Sequence, residues 1–286
     1  MQAFSFIGDL FHNLLYVPII NLLVILYHAI SFVHVPYALG FAIITLTIII
    51  RLILYPLMSS QLKASKKMQE LNPHLKNLKE KHKNDAKMLQ SETMKLYKEH
   101  GVNPAAGCLP VLIQLPLIWA LYAALQLIVK PGMVTLKTIN AMLYSPSLKL
   151  AHPWDANFFG LPLAQTPSHL ISTVGPLILL VPILTGLFQF IQSKMMFSTI
   201  AKPEDKKLTK ADSASGKKKD DDFATAFQSQ SMYIFPLMIG FFSWGFPIGL
   251  SLYWNTFTIF GIIQQYRISG LGGLKDLIDK VYVRNK

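Results

Sequence analysis

One arginine lies inside an apolar run where charged residues are rare. Arg51 follows Thr47 by four residues within 38–58, a run that contains no other side chain charged near neutral pH. An arginine near the middle of a membrane helix costs about 2.5–3.5 kcal/mol on insertion scales. Thr47 lies one turn earlier on the same helical face. We interpret Arg51 as a cation that faces a wet cavity; a side chain snorkelling to the inner interface is the alternative.

The other apolar regions limit the chemistry that Arg51 can take part in. The runs 38–58, 109–129, 170–192 and 231–266 contain no Asp, Glu, His or Lys. Acid–base catalysis and proton coupling depend on such groups, so we predict no catalytic residue and no intramembrane metal site. The chain has no GxxxxGK[ST] phosphate loop, and its single cysteine, Cys108, excludes an internal disulfide. We therefore expect neither enzymatic activity nor a cofactor.

Neutral polar residues in these runs are candidates for lining the same cavity. They are Gln114 and Gln126 in the second run, Gln189 and Gln192 in the third, and Trp254, Asn255 and Thr258 in the fourth. Hydrogen bonding between helices is the alternative explanation. It is preferred for Gln126, whereas both explanations stay open for Thr47, Gln114 and Gln192.

Length and composition indicate a helical membrane protein. Hydrophobic residues make up 52% of the 286 residues and charged residues 15%, about ten points below a typical soluble domain. About 20 apolar residues span a bilayer. The run 231–266 is too long for one crossing, and Gly245-Phe246-Pro247-Ile248-Gly249 divides it into two helices. The prediction is an all-α fold with five transmembrane helices.

The run Leu14–Val33 admits several interpretations. Asn21, His28 and Ser31 form a polar stripe on an otherwise apolar helix, which favours an amphipathic helix in the headgroup region. A sixth crossing is the alternative. A signal peptide is a third interpretation, weakened because residues 1–13 contain no Lys or Arg.

The basic residues predict the orientation. Segments 59–108, 193–230 and 267–286 hold 10, 8 and 5 of the 27 Lys and Arg residues, whereas 1–37 holds none. Basic loops stay on the cytoplasmic side, so we expect the N-terminus outside and the C-terminus inside. The organisation is then an outer N-terminal segment 1–37, a core 38–266 and a basic cytoplasmic tail 267–286.

The two cytoplasmic segments of the core differ in kind. Residues 60–99 are predicted as a charged helical hairpin, with a helix start or kink at Asn72-Pro73 and a second helix over 86–99 that ends before Gly101. Residues 201–222 are polar and lack apolar periodicity, which predicts a mobile loop. The hairpin argues against the rival function, a small-anion transporter or channel that uses Arg51, because a small solute needs no such platform.

Several motifs together resemble the YidC family of membrane protein insertases, relatives of the mitochondrial Oxa and thylakoid Albino proteins. The resemblance covers about residues 36–266. The motifs are Arg51 with Pro56-Leu57 and Gln61, 68–73, 96–104, Gly107-Cys108-Leu109-Pro110, Gln114-Leu115-Pro116, 192–195, 246–250, Leu252-Tyr253-Trp254, and Gln264-Gln265.

This resemblance implies five helices around a hydrophilic groove that is open to the cytoplasm and lipid. It gives Arg51 the role of attracting acidic or polar parts of an arriving chain, and places Thr47, Gln114, Gln192 and Trp254 along the groove. The family commonly has Asn near the position of Thr258, whereas here Asn255 lies one turn earlier, so which of the two faces the groove stays open.

The implied location is a bacterial inner or plasma membrane. The implied clients are nascent membrane proteins that leave the groove sideways into the bilayer. Membrane lipids and the ribosome are candidate partners of the basic tail, and the ribosome contact is expected to be weak. The Sec translocon is a further candidate that the sequence leaves open.

Overall fold

A computed structural model describes residues 8–82, 85–102, 109–129, 132–196 and 232–284. Most of these residues are helical, which agrees with the predicted all-α class. The helices are α1 (Gly8–Phe32), α2 (Ala38–Ile53), α3 (Tyr55–Glu70), α4 (Asn72–Lys81), α5 (Ala86–Glu99), α6 (Leu109–Ile128), α7 (Met133–Ala141), α8 (Pro167–Val174), α9 (Leu180–Met196), α10 (Met232–Ser243), α11 (Ile248–Ser269) and α12 (Gly273–Arg284). Antiparallel strands β1 (Asn157–Phe158) and β2 (Leu161–Pro162) form one small hairpin. Cys108 and most of the predicted loop 193–230 lie outside the described residues.

The chain divides into two compact units. The first unit comprises Met1–Pro56, Cys108–Thr185 and Gly240–Phe260. The second comprises Leu57–Gly107, Gly186–Ile239 and Gly261–Lys286. The predicted cytoplasmic hairpin and tail therefore belong to the second unit, and Arg51 belongs to the first.

The first unit holds the apolar core. Its most enclosed side chains come from α1, α2 and α6, with further contributions from the segment after α7 and from the start of α11. Representative members are Ile20, Leu23, Leu39, Ile43, Leu46, Leu121, Ile128, Leu163 and Tyr253. At the N-terminal end of α2, Gly40 lies so close to the Phe158 ring that no Cβ fits there. The small β-hairpin is thereby packed against α2.

The second unit contains the helical hairpin α4–α5. Asp85 caps α5, since its side chain accepts a hydrogen bond of 3.0 Å from the Met88 N–H, and Gly101 follows the helix with a φ of 63°. The predicted break at Asn72-Pro73 is confirmed, because α3 ends at Glu70 and α4 begins at Asn72. In the same unit, Gly272 lies so close to the Met195 carbonyl that a Cβ would collide with its oxygen.

Two of the apolar runs predicted to cross the membrane are interrupted as helices. Within 38–58 a break falls at Leu54, because Pro56 offers no N–H to the carbonyl four residues earlier. Within 170–192 the chain breaks at Gly175, whose φ is 81°, and a 3₁₀ turn over Pro176–Leu179 leads into α9. By contrast, the predicted division of 231–266 is confirmed, because α10 ends at Ser243 and α11 begins at Ile248.

The described helices that could cross a membrane are fewer than five. Gly8–Phe32 and Pro176–Met196, of 25 and 21 residues, are long and apolar enough, and α2 with the first part of α3 makes a third if the pair is one bent span. Gln114–Ile128 and Met232–Ser243 are apolar but shorter. The structure thus supports a helical membrane protein, and the count of five crossings stays a prediction.

Helix α1 packs within the first unit through two residues of the polar stripe that suggested a headgroup contact. Asn21 is 2% exposed; its Nδ2 donates to the carbonyls of Val17 and Met142, both at 2.9 Å, and its Oδ1 accepts from the Tyr144 N–H at 2.8 Å. His28 Nε2 lies 3.0 Å from the Leu148 carbonyl oxygen. These two polar groups of the stripe therefore bind protein. The length of α1 fits the alternative of a sixth crossing, and its interfacial placement stays a prediction.

Candidate functional site

The packing of α2 determines where Arg51 lies. Buried side chains of this helix recur at the spacing of one helical face, and Arg51 is the last of them. They are Leu39, Ala42, Ile43, Leu46, Thr47 and Arg51. The residues that follow, Leu52 and Ile53, are 56% and 68% exposed and fit a lipid-facing surface. Arg51 is thus directed into the first unit, where it is only 4% exposed.

The guanidinium of Arg51 is held by one residue of α11. Its Nη2 donates to the main-chain carbonyl of Phe257 at 2.6 Å, and its central carbon lies 3.4 Å from the centroid of the Phe257 ring. The ring of Phe260 is 6.0 Å away. A carbonyl and an aromatic face both attract a cation, but neither neutralises its charge. Among the described residues, the positive charge of Arg51 is therefore covered by a ring and a carbonyl rather than paired with a carboxylate.

Two threonines predicted to line a groove use their hydroxyl groups within their own helices. Thr47 Oγ1 donates to the Ile43 carbonyl at 2.7 Å, and Thr258 Oγ1 donates to the Trp254 carbonyl at 2.8 Å. Both residues are buried, at 1% and 0% exposure. Bonding to the carbonyl four residues earlier is a common solution for threonine in apolar helices. Neither hydroxyl hydrogen is left to bind a client.

Two of the predicted amide side chains, unlike the threonines, have buried polar atoms without a hydrogen-bond partner among the described residues. Both amide atoms of Gln114 are enclosed and have no hydrogen-bond partner among the described residues, and the same holds for Asn255 Oδ1. A buried polar atom without a partner costs about 1–3 kcal/mol and calls for an explanation. Trp254, by contrast, is partly buried and packs against the apolar core. Gln114 and Asn255 therefore retain unused hydrogen-bonding capacity towards the described residues.

The remaining two predicted residues belong to the second unit. Gln189 is 8% exposed, and Gln192 is partly buried. The other six predicted residues belong to the first unit. The structure therefore describes six of the eight residues within one body and does not describe a single site made of all eight.

The face of α11 that holds Arg51 is one that the sequence interpretation missed. Tyr253 and Phe257 are one turn apart, and Tyr253 is close enough to Arg51 for an electrostatic interaction. At 100° per residue, Trp254 is about a quarter turn from Tyr253, and Asn255 is on nearly the opposite side. The i, i+4 pair of aromatic residues was the available signal. Neither Asn255 nor Thr258 lies on the face of α11 that binds the guanidinium.

A narrow gap, too small to admit a water molecule, lies between α1, α2, α6 and α11 in the first unit. Its lining is apolar apart from Thr47 and Tyr253, and includes Leu23 of α1 and Leu121 of α6. The gap is thus lined unlike a hydrophilic groove, and the predicted groove stays a prediction.

The long apolar helices and the buried cation Arg51 define a mostly helical membrane protein. Residues 29–271 match the family model described as 60Kd inner membrane protein. The chain belongs to this family, so the predicted family resemblance is confirmed.

The relatives carry consistent names. The chain is 34% identical over 233 residues to the membrane protein insertase YidC of Fusobacterium nucleatum, an alignment that covers 82% of this chain and 87% of that protein. It is 34% identical to the YidC insertase of Oceanobacillus iheyensis, over 80% of this chain and 74% of the relative. It is also 34% identical to the chloroplastic inner membrane protein ALBINO3 of Arabidopsis thaliana, over 90% of this chain and 52% of that protein. The chain thus spans most of the two bacterial relatives and about half of the plant one, and none of these three proteins is named a transporter or channel.

Proposed function

We propose that this protein is a membrane protein insertase of a bacterial inner or plasma membrane. It receives nascent hydrophobic proteins in a hydrophilic groove open to the cytoplasm and releases them sideways into the bilayer. The observation that carries the proposal is Arg51, a buried cation without a carboxylate partner among the described residues, in a chain whose relatives are named insertases.

The charge of Arg51 supplies the attraction for the client. In a low-dielectric environment, a carboxylate within hydrogen-bonding distance is a stronger partner for a guanidinium than a main-chain carbonyl. An acidic segment of a client can therefore replace the Phe257 carbonyl as the acceptor from Arg51 Nη2. The exchange lowers the cost of bringing polar groups partway into the membrane, a cost that makes translocation slow.

Release into lipid is driven by the client itself. A client segment of about 20 apolar residues is more stable in hydrocarbon than in a polar groove. Its burial pulls the segment sideways, and the Arg51–carboxylate contact dissociates. The step needs no nucleotide, metal or covalent intermediate.

The second unit provides the contacts on the cytoplasmic side. The α4–α5 hairpin is charged and bears exposed apolar residues, Met88 and Met94, which suit a receiving surface because methionine adapts to varied apolar partners. Nascent membrane proteins are the proposed clients, and lipid headgroups and the ribosome are proposed partners of the basic tail. The Sec translocon is a further candidate, and the mechanism runs with or without it.

The test compares two clients that differ in one charge. Arg51→Ala should lower insertion of a client with a translocated Asp by about tenfold or more, because a charge-assisted hydrogen bond contributes about 1.5–3 kcal/mol. Arg51→Lys should retain most of the insertion, and an Asp→Asn client should respond little to either variant. Protease protection of the client in proteoliposomes is the measurement.

The control is Lys137→Ala, which removes an exposed positive charge from α7 and should insert both clients normally. Equal insertion by the wild type, Arg51→Ala and Arg51→Lys would assign Arg51 to snorkelling and refute this role for its charge.

A further inference from the structure

The turn of the small β-hairpin places a phenylalanine where asparagine or glycine is usual. Phe158 pairs with Leu161, so Phe159 and Gly160 form a two-residue turn, and their φ angles are 49° and 82°. Two positive φ angles are typical of a type I′ turn, which favours Asn or Gly at its first position. A bulky side chain in the left-handed region destabilises the turn. Phe159 is also 67% exposed, so its ring does not fill the core.

Further residues with a left-handed backbone lie beside this turn. Among the described residues, the other non-glycine residues with a positive φ are His34 and Tyr37, at 57° and 59°. Both belong to the connection between α1 and α2, and the centroid of the Tyr37 ring lies 4.9 Å from that of Phe159. Phe158, packed on Gly40, holds the hairpin at this end of α2. A strained backbone persists only where its surroundings hold it, and such residues cluster at functional surfaces.

Apolar side chains are exposed at the same end of the first unit. Phe32 and Val33, at the end of α1, are 83% and 64% exposed, and Val35 in the connection is 37% exposed. All three lie within five residues of Tyr37, which contacts Phe159. We call Phe32, Val33, Val35 and Phe159 the rim patch. An exposed apolar surface of this kind is typical of a contact with a membrane or with another protein.

The location and the charge of the rim patch favour lipid as its partner. The patch lies where the apolar helix α2 begins, and Arg51 follows Tyr37 by about 21 Å along the helix axis. The patch and Arg51 therefore both fit within a hydrocarbon core of about 30 Å. Residues 1–50 and 150–193 contain no Lys or Arg, so an anionic partner is not favoured. Aromatic side chains are typical of the boundary between headgroups and hydrocarbon.

We infer that the rim patch inserts into the bilayer at the boundary between headgroups and hydrocarbon, with Phe159 as its anchor. In the predicted orientation this boundary belongs to the outer leaflet. Transfer of the exposed ring from water into lipid offsets the unfavourable turn. The hairpin thereby fixes the depth of this end of the first unit. The inference goes beyond the proposed insertase function, which makes no use of the hairpin.

Nitroxide labels on the full chain measure the depth of the rim patch. In a Cys108→Ser background, Phe159→Cys, Phe32→Cys and Lys149→Cys each provide one labelling position for proteoliposomes of zwitterionic phosphatidylcholine. Labels at positions 159 and 32 should have a ratio of oxygen to water-soluble nickel chelate collisions severalfold above that at position 149, an exposed lysine of the same unit. Addition of anionic phosphatidylglycerol should leave these ratios unchanged, because the contact uses no basic residue.

A second pair of variants tests the ring of Phe159 itself. Phe159→Asn suits a left-handed turn and should keep the hairpin folded, but it removes the apolar ring. In this variant the label at Phe32→Cys should become more accessible to the nickel chelate, because this end of the unit is no longer drawn into lipid. Phe159→Tyr keeps an aromatic ring and is the matched control, in which the label at Phe32→Cys should stay at its original depth.

Three results would overturn the lipid contact. Labels at positions 159 and 32 that meet the chelate as freely as the label at position 149 would place the rim patch in water. Labels shielded from both oxygen and the chelate would show that protein covers the patch instead. An unchanged label at Phe32→Cys in Phe159→Asn would show that the Phe159 ring is not the anchor.

Discussion

At the scale of single residues, the buried polar side chains of the first unit differ in how fully they are hydrogen-bonded. Thr47 and Thr258 bond to their own helices, and Asn21 uses both ends of its amide. Within the part of the chain that the structure describes, Arg51 hydrogen-bonds to the Phe257 carbonyl and stacks on the Phe257 ring. A cation held by one aromatic residue is easier to release than one held by an ion pair, because a cation–π contact contributes only about 0.5–2 kcal/mol. Phe257 is therefore the expected cover of Arg51.

Removal of this aromatic cover should expose the arginine. In Phe257→Leu the stacking contact is lost while the main-chain carbonyl stays. Arg51 should then react with phenylglyoxal severalfold faster, the change that the loss of a cation–π energy of about 0.5–2 kcal/mol predicts. Mass spectrometry of the labelled peptides measures the reaction, with exposed Arg267 as the internal reference. Phe260→Leu, at 6.0 Å, is the matched control and should change the rate little. An unchanged ratio of Arg51 to Arg267 labelling in Phe257→Leu would show that the ring does not protect Arg51.

At the scale of elements, α1 is fastened to the segment that follows α7. Asn21 bonds to Met142 and Tyr144, His28 lies within hydrogen-bonding distance of the Leu148 carbonyl, and the Tyr27 and Trp154 rings meet edge to face at 5.3 Å. Trp154 in turn donates from Nε1 to the Ile128 carbonyl at 2.8 Å, at the end of α6. The N-terminal helix is thus part of the structural core of the first unit. Its removal would expose the apolar surfaces of α2 and α6.

The buried asparagine should contribute measurably to stability. Asn21→Leu preserves volume but leaves the Met142 carbonyl and the Tyr144 N–H without partners, which should cost about 1–3 kcal/mol for each buried group. A lower thermal unfolding temperature in detergent is the expected result. Asn13→Leu, at an exposed position of the same helix, is the control and should unfold like the wild type. Equal unfolding temperatures for Asn21→Leu and the wild type would mean that α1 is not held by this residue.

At the scale of the whole molecule, positive charge is concentrated in the segments predicted to be cytoplasmic. The tail after Gly272 carries Lys275, Lys280, Arg284 and Lys286 against Asp276 and Asp279. Residues before this point are packed within the second unit, where Gly272 lies against the Met195 carbonyl and Gln264 Nε2 donates to Ser59 Oγ at 3.1 Å. A truncation after Gly272 therefore removes tail charge without disturbing these contacts.

The tail should bind ribosomes weakly and in a salt-dependent manner. Deletion of residues 273–286 should lower co-sedimentation with ribosomes at low salt, because contacts with phosphates are lost. The effect should be small and should fade at higher salt, because the contacts are few and salt screens them. Insertion of small clients after their synthesis should stay nearly normal. A full-length variant with Lys275, Lys280, Arg284 and Lys286 changed to Gln tests charge alone and should behave like the truncation. If neither variant alters ribosome binding or its salt dependence, the tail acts as an anchor at the lipid surface.

Local signals in the sequence were enough to predict the helical membrane class, the family and several helix boundaries. The break at Asn72-Pro73, the helix Ala86–Glu99 and the division near Gly245 follow from proline, glycine and capping residues that act on their immediate neighbours. The location of Arg51 in an otherwise apolar run was equally visible. The break at Gly175-Pro176 used the same residue types but was missed, because the apolar run continues on both sides.

Tertiary structure alone decided what these elements face. Arg51 meets Phe257 across 206 positions and Asn21 meets Met142 across 121, and no periodicity within one helix reports on such pairs. The helical wheel showed a polar stripe on α1 but not that its asparagine binds protein. It showed polar residues on α11 but not that Tyr253 and Phe257 form the face towards Arg51. Periodicity tells which residues of a helix share a face, whereas only the packing of helices distant in sequence determines which face meets which partner.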